Sequence, residues 1–168
     1  MSDSRNIFQT SKSPYPAYNV LRRNEPVATD TFYAGTPAIG AGGVKTAQFF
    51  CGRKSLVIDI YGMKSNAEFV NTLEDVIRKR GAMDKLISDS ARVEISARVK
   101  EILRALIIES WQSEGWYQHQ NFAEHRYQHF KRNVQFIMNL RDVPPECWLL
   151  CAEWVADVMN HTAEKSLG

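Results

Sequence analysis

Cysteine is scarce in this 168-residue chain, and apolar residues never form a long run. The three cysteines (Cys51, Cys147 and Cys151) show no CxxC spacing, so we expect reduced thiols rather than a disulfide framework. No segment approaches the ~18 consecutive apolar residues of a membrane helix. The first residues also lack the apolar stretch of a secretory signal. These absences predict a soluble, intracellular protein with no membrane partner.

Charge of one sign is not in excess either, because 21 basic and 19 acidic residues leave a net charge of +2. This balance neither favours nor excludes nucleic acid, since a binding surface can be local. A chain that is 44% hydrophobic and 11% aromatic can bury one core at this length. Composition predicts a flexible lead-in over 1–24, a single domain over 25–163 and a tail over 164–168.

Hydrophobic periodicity divides the domain into two halves. The first half predicts three strands joined by a glycine-rich turn at 40–43 and by a tight hairpin at Gly52 and Arg53. The strands are VATDTFYA (27–34), VKTAQFFC (44–51) and KSLVIDIY (54–61). The period then changes to that of a helix over 66–80, with a capping box at Ser65 and Glu68 and a stop at Gly81.

The second half alternates strands and helices. It predicts a strand over 84–88, a helix from Ile95 to Leu106, a short strand over 107–110 and an aromatic loop over 111–122. A third helix carries Ala123 to Met138, and a fourth follows Pro144 and Pro145. Three antiparallel strands followed by βα units predict an α/β fold with a mixed five-stranded sheet and helices on its faces.

Three acids occupy separate elements of this prediction. Asp30 lies inside the first strand, Asp89 at the end of the fourth, and Glu124 at the start of the third helix. Carboxylates that converge from separate elements suit Mg²⁺, which prefers carboxylate and water oxygens. Each acid also has an ordinary interpretation: a surface acid for Asp30, a helix N-cap for Asp89 and a helix-dipole partner for Glu124.

The segments around these acids resemble the catalytic core of copia-type retrotransposon integrases, and are most like the copia-like elements of diatoms and related algae. The likeness runs from about Glu25 to His161. It is carried by EPVATDTFYAGTPAI, ISDSA, NFAEHRYQ, PPECWLL and the closing NHTA. Members of that family have an Asp-Asp-Glu triad with about thirty-five residues between the last two acids. Here 34 residues separate Asp89 from Glu124.

The resemblance implies an RNase H-like fold and a metal-dependent polynucleotidyl transferase. Asp30, Asp89 and Glu124 would bind Mg²⁺ or Mn²⁺, with the two aspartates bridging the metals and the glutamate completing one of them. Water, and then a 3′-hydroxyl of element DNA, would attack phosphodiesters in line during 3′-end processing and strand transfer. The implied partners are element and target DNA and further copies of the chain. The implied location is the nucleus, after assembly in the cytoplasm.

The third helix is the predicted DNA-binding element. At 100° per residue, Gln128 and Lys131 share an edge stripe with Glu124 beside the buried face, and Arg132 points to solvent. Family resemblance adds Asn121 at the helix start, and a lysine two turns beyond the acid suits a DNA phosphate. The alternative is a solvated helix face. Family members often carry a proline in the preceding loop where this chain has Gly115 and Trp116, or Phe122.

Other patterns favour weaker hypotheses. The spacing of two histidines and two cysteines suggests a zinc site, but His125 and His129 are predicted to point to solvent. No His/Cys array like the zinc-binding module of integrases precedes Asp30, which keeps open an inactive integrase remnant or a domesticated DNA- or protein-binding module. A stand-alone RNase H-type nuclease would need a fourth acid, for which Asp59 and Asp157 are the candidates.

Overall fold

A computed structural model describes residues 22–89, 96–113 and 121–162 of the chain. Within this part, one sheet holds five strands in the order β3-β2-β1-β4-β5. The strands are β1 (Pro26–Tyr33), β2 (Thr46–Gly52), β3 (Ile58–Met63), β4 (Lys85–Asp89) and β5 (Glu109–Ser113). The helices are α1 (Phe69–Arg80), α2 (Ala97–Ala105), α3 (Asn121–Leu140) and α4 (Trp148–His161). Short 3-10 turns precede α1 and α4.

The sheet is mixed, as the sequence predicted. β2 pairs antiparallel with both β1 and β3, whereas β4 pairs parallel with both β1 and β5. The parallel pairs are possible because α1 and α2 supply the crossovers that parallel strands require. The predicted α/β fold of three antiparallel strands followed by βα units is therefore confirmed, and it places β1 at the centre of the sheet.

Alternation along the strands divides the apolar side chains between two cores. In β2, Phe49 belongs to the core that contains residues of α3 and α4, whereas Phe50 belongs to the core that contains residues of α1 and α2. In β3, Ile58 and Ile60 face α3 and α4. Both faces of the sheet are thus covered, which explains why β2 reads as a nearly continuous apolar run.

The turn between β2 and β3 differs from the prediction. A two-residue hairpin at Gly52 and Arg53 is wrong, because β3 begins only at Ile58. The longer turn is held by Glu25, whose buried carboxylate accepts bonds from the backbone N–H groups of Lys54 (2.7 Å) and Ser55 (2.9 Å). A partner thirty residues away in sequence gives no local signal of turn length.

Two further local expectations need correction. Ser65 precedes the first helical turn without a side-chain cap, and Glu68 instead accepts from the N–H of Lys64 at 2.7 Å. The last strand starts at Glu109 rather than at residue 107, because Ile107 has a positive φ of 54° and is 83% exposed. The stop at Gly81 is confirmed: its φ is 92° and its N–H bonds to the carbonyl of Ile77. No helix within the described ranges is long and apolar enough to cross a membrane.

Candidate metal and nucleic-acid site

Adjacent parallel strands bring two of the predicted acids to one end of the sheet. Ala28 of β1 is in register with Ile87 of β4, and Asp30 and Asp89 each lie two positions further along these strands. Positions two apart in a strand return to the same face of the sheet. The strands that carry the two aspartates are therefore neighbours in the sheet. The side chain of Asp89 lies outside the described residues.

Asp30 occupies the sheet face that α3 covers. Its strand partner is Phe49, whose ring packs against Tyr127 and Phe130 of α3 at centroid distances of 5.0 and 5.4 Å. The carboxylate is partly buried and accepts a hydrogen bond from the N–H of Thr31 at 2.7 Å. Asp30 therefore lies at the junction between the central strand and α3.

Tyr127 connects this strand to the helix that carries Glu124. Its hydroxyl donates to the carbonyl of Thr31 at 2.9 Å, next to Asp30 in the chain. Burial raises the pKa of Tyr127 above its ordinary value, and the negative charges of Asp30 and then Glu124 raise it further. The Tyr127 hydroxyl therefore joins the strand of Asp30 to the helix that carries Glu124.

Glu124 lies in the first turn of α3 and is exposed. Its Oε1 accepts from the Nε2 of Gln128 at 2.7 Å, one turn further along the helix. Among the described side chains, which do not include that of Asp89, no group of three metal-binding residues is found. The structure therefore brings Asp30 and Glu124 into one region and leaves the complete triad as a prediction.

The predicted DNA-binding residues form an exposed strip along α3. Gln128, Lys131 and Arg132 are exposed, and the Nζ of Lys131 lies 5.1 Å from the ring centroid of Tyr127. Arg132 donates from Nε to the carbonyl of Gln128 at 3.4 Å. Asn121 begins the helix, but its side chain lies outside the described residues. Most of the predicted loop, residues 114–120, also lies outside them.

The zinc alternative finds no support in the described positions. His125 and His129 are exposed on α3, as predicted from the helical angles. Cys151 is buried in the core between α3, α4 and the sheet, with its thiol directed at the carbonyl of Val134 (3.9 Å). An exposed pair and a buried thiol do not make a tetrahedral set.

Asp59 is buried on the opposite face of the sheet from Asp30. It pairs in β3 with Phe50, which belongs to the core of α1 and α2. Its carboxylate binds Arg80 through Nε at 3.0 Å and Lys79 through Nζ at 3.0 Å. Burial acts to raise the pKa of Asp59, but the bonds and charges of Arg80 and Lys79 outweigh burial and lower it. This acid is neutralised by its own fold and does not serve as a fourth acid beside Asp30.

A buried amide beneath the site was missed by sequence reasoning. Gln48 of β2 is 1% exposed and donates from Nε2 to the Oγ1 of Thr29 at 2.6 Å. Its Oε1 accepts from the Oγ1 of Thr31 at 3.2 Å. These two threonines flank Asp30, so the amide fixes the strand on both sides of the acid. A glutamine inside the apolar run TAQFFC was the only available signal.

The buried guanidinium of Arg126 was also unexpected on α3. Although this arginine follows two exposed positions, it is only 5% exposed and donates from Nη2 to the carbonyl of Met159 at 3.2 Å. It therefore ties the middle of α3 to the last turn of α4. At 100° per residue Arg126 lies about 40° from buried Phe130, so the periodicity puts it at the edge of the buried face. The periodicity gives no sign of its partner, which is a backbone carbonyl in another helix.

The fold matches solved structures closely, although no protein-family model and no curated protein matches the sequence. The catalytic core domain of BIV integrase superposes with a TM-score of 0.63 at 12% identity, covering 84% of this chain and 87% of that one. The fold is that of an integrase catalytic core. It is RNase H-like and α/β.

Two further structures give the same architecture. The simian T-cell lymphotropic virus intasome in complex with the PP2A regulatory subunit B56 gamma has a TM-score of 0.61 at 12% identity, with 84% of this chain and 56% of that chain covered. The HTLV-2 integrase catalytic core domain, solved in complex with magnesium in a trimeric form, has a TM-score of 0.55 at 12% identity. The match covers 80% of this chain and 86% of that chain. At this identity the likeness shows the fold alone.

Proposed function

We propose that the chain is a metal-dependent polynucleotidyl transferase that processes and joins DNA ends, with Asp30, Asp89 and Glu124 as its acids. The observation that carries the proposal is the placement of these residues. Asp30 lies within β1 and Asp89 ends the adjacent parallel strand β4, at the centre of an integrase-like fold, and Glu124 lies in the first turn of the helix that packs on this face. We further propose that the source is a copia-type element, as the sequence motifs suggest.

The donor chemistry fits Mg²⁺ or Mn²⁺. The site offers carboxylate oxygens, which hard divalent cations prefer. When bound between the three acids, the metal would supply charge stabilisation to the attacking and leaving oxygens of a phosphodiester. HTLV-2 integrase, which has this fold, was solved with magnesium.

The residues around the acids would then position the substrate. Gln48 holds Thr29 and Thr31 and so fixes the direction of Asp30. Tyr127 fixes α3 against β1, which sets the position of Glu124 relative to the strand. Lys131 and Arg132 present cations on the exposed side of α3, where they can hold phosphates of the same strand.

The test is a disintegration assay, in which a branched DNA that resembles an integration product is resolved in Mn²⁺. We expect wild-type chain to resolve it, and Glu124→Gln to reduce the rate to background because a metal-binding charge is lost. Gln retains the acceptor for Gln128, so the helix start is preserved. Glu146→Gln is the matched control, since Glu146 is also an exposed acid in the first helical turn before α4.

The competing function is a DNA-binding remnant without catalysis. Wild-type chain that binds the branched DNA but neither cleaves nor joins it in Mn²⁺ would favour that remnant. If Glu124→Gln and Glu146→Gln lowered the rate of resolution equally, Glu124 would have no specific role and the catalytic residues would lie elsewhere. Resolution by all three proteins at one rate would show that the acid at α3 has no catalytic role.

Self-association and a nuclear location belong to the same proposal. An apolar groove of about 470 Å³ between α3 and α4 is lined by Leu140, Leu150 and Trp154, of which Leu150 is 57% and Trp154 54% exposed. Exposed apolar area of this kind suits a second copy of the chain. Sedimentation of wild-type chain and Trp154→Glu tests it: only the wild type is expected to form dimers or larger species.

A further inference from the structure

A second concave site lies on the same sheet face as Asp30, at the end of β1. It is a pocket of about 290 Å³ lined by residues of β1, the segment after it, α3 and the start of α4. Its aromatic side chains include Phe32 and Trp148, whose rings stack at 5.6 Å with an interplanar angle of 24°. The indole N–H of Trp148 donates to the carbonyl of Thr36 at 2.8 Å, which holds the segment after β1 against α4.

The rim of this pocket is polar and cationic. Lys131 and Gln135 contribute from the exposed side of α3, and Tyr33, which is 54% exposed, contributes from β1. Tyr33 and Lys131 line the same pocket, and the Nζ of Lys131 lies 5.1 Å from the ring centroid of Tyr127. An aromatic surface with a cation and an amide at its edge is suited to a nucleobase and its phosphate.

The distance from the candidate metal site fits one strand of nucleic acid. Phe32 lies two residues beyond Asp30, which is about 7 Å along a strand. Lys131 lies seven residues beyond Glu124, which is about 10 Å along a helix. The pocket is therefore about one to two nucleotides from a phosphodiester held at the acids.

We infer that this pocket receives the base of an unpaired nucleotide next to the reacting phosphodiester, with Lys131 on the adjoining phosphate. The base would stack against Tyr33 above the aromatic floor, and the Gln135 amide would meet its polar edge. Such a site would favour DNA ends whose terminal pairs are open. The inference rests on the proposed function, because it assumes that the reacting phosphodiester of the DNA strand lies at Asp30, Asp89 and Glu124.

The experiment compares two fluorescent duplexes that differ only in their single-stranded end. One carries a two-nucleotide overhang with bases, and the other carries abasic sites at the same positions. By fluorescence anisotropy, wild-type chain should bind the base-bearing end at least about fivefold more tightly, as expected for one stacked base. Tyr33→Ala should reduce this ratio to about one, whereas Tyr33→Phe should retain it.

Two more variants allow the inference to be tested even if Tyr33→Ala does not fold. Gln135→Trp fills the pocket from an exposed helix position and should also abolish the ratio. Phe136→Ala is the matched control, because it removes an aromatic ring that is 61% exposed on the same helix but does not line the pocket. It should behave as wild type.

Several outcomes would overturn the inference. Equal binding of both ends by wild-type chain removes the base subsite, and the proposed function survives if disintegration still occurs. If free deoxyadenosine monophosphate displaced the fluorescent duplex at a concentration equal to that of the duplex, the pocket would bind single nucleotides and not a DNA strand. Absence of both DNA binding and disintegration would remove the subsite together with the proposed function.

Discussion

Asp30 and Asp59 both lie within strands of one sheet, yet the fold surrounds them in different ways. Asp59, with a side chain only 1% exposed, is neutralised by Lys79 and Arg80 at the end of α1. Asp30 is partly buried near Glu124, and both charges act on Tyr127 in the same direction. Asp59 is thus held by two cations at the end of α1, whereas Asp30 lies next to the helix that carries Glu124.

The difference separates an acid that stabilises the fold through its ion pairs from an acid that lies at the proposed site. A buried carboxylate that is paired and hydrogen-bonded contributes to the native state, and removing a partner is costly. Acids gathered on one side of the sheet do not help folding in the same way, and such clusters occur at functional sites. The comparison predicts opposite phenotypes for the same substitution on the two faces.

Stability is expected to show the largest effect. Asp59→Asn should lower the free energy of unfolding by about 3 kcal/mol, because two cations lose a buried anionic partner. Asp30→Asn should change it by less than about 1 kcal/mol without metal, since Asn can still accept from the N–H of Thr31. Urea unfolding of the metal-free proteins measures both values. A larger loss for Asp30→Asn than for Asp59→Asn would reverse the comparison.

Acid should destabilise the chain mainly through its paired carboxylates. Burial acts to raise the pKa values of Asp59 and Glu25, but their ion pairs and hydrogen bonds outweigh burial and lower both. The unfolded chain therefore binds protons more readily, so their stabilisation is present above about pH 4 and is lost as pH falls through the folded-state pKa values. Melting temperature measured from pH 7 to pH 2 should fall.

The control for this pH dependence is Asp59→Asn. Its melting temperature should start lower at pH 7 and fall less steeply with acid, because the residue that takes up a proton on unfolding is gone. An unchanged slope in Asp59→Asn would mean that the Asp59 ion pairs do not contribute to acid sensitivity.

The exposed cations of α3 should show the smallest effect. Lys131→Ala should weaken DNA binding and reduce the slope of log K against log salt by about one unit, as expected for one lost phosphate contact. It should leave the free energy of unfolding within about 0.5 kcal/mol of wild type, because the side chain is exposed. The matched control is Lys64→Ala, an exposed lysine after β3, which should leave the salt slope unchanged.

The sequence predicted the parts of the fold that depend on local periodicity. The switch from a two-residue to a 3.6-residue period gave the order of strands and helices. Three acids, one inside a strand, one at a strand end and one at a helix start, gave the candidate site. What it missed depends on contacts between distant segments. Glu25 sets the length of the β2–β3 turn, Met159 accepts from buried Arg126, and Asp59 is neutralised by cations on α1.

The pocket at the end of β1 belongs to the same class of unpredicted features. It forms where Phe32 meets Lys131 and Trp148, which lie 99 and 116 positions further along the chain (131 − 32 and 148 − 32). A single sequence shows the aromatic and the cation separately but gives no sign that they share one cavity. The spatial arrangement of side chains from separate elements is what the structure adds.

The most direct test of the account is the melting temperature with and without Mn²⁺. A ligand that binds only the folded chain stabilises it by about 2.7 kcal/mol at one hundred times its dissociation constant. Wild-type chain should therefore show a clear rise, Asp30→Asn and Asp89→Asn should lose most of it, and Asp142→Asn, in an exposed turn after α3, should keep it. An equal rise in wild type, Asp30→Asn and Asp89→Asn would contradict the account, because the metal would then bind elsewhere.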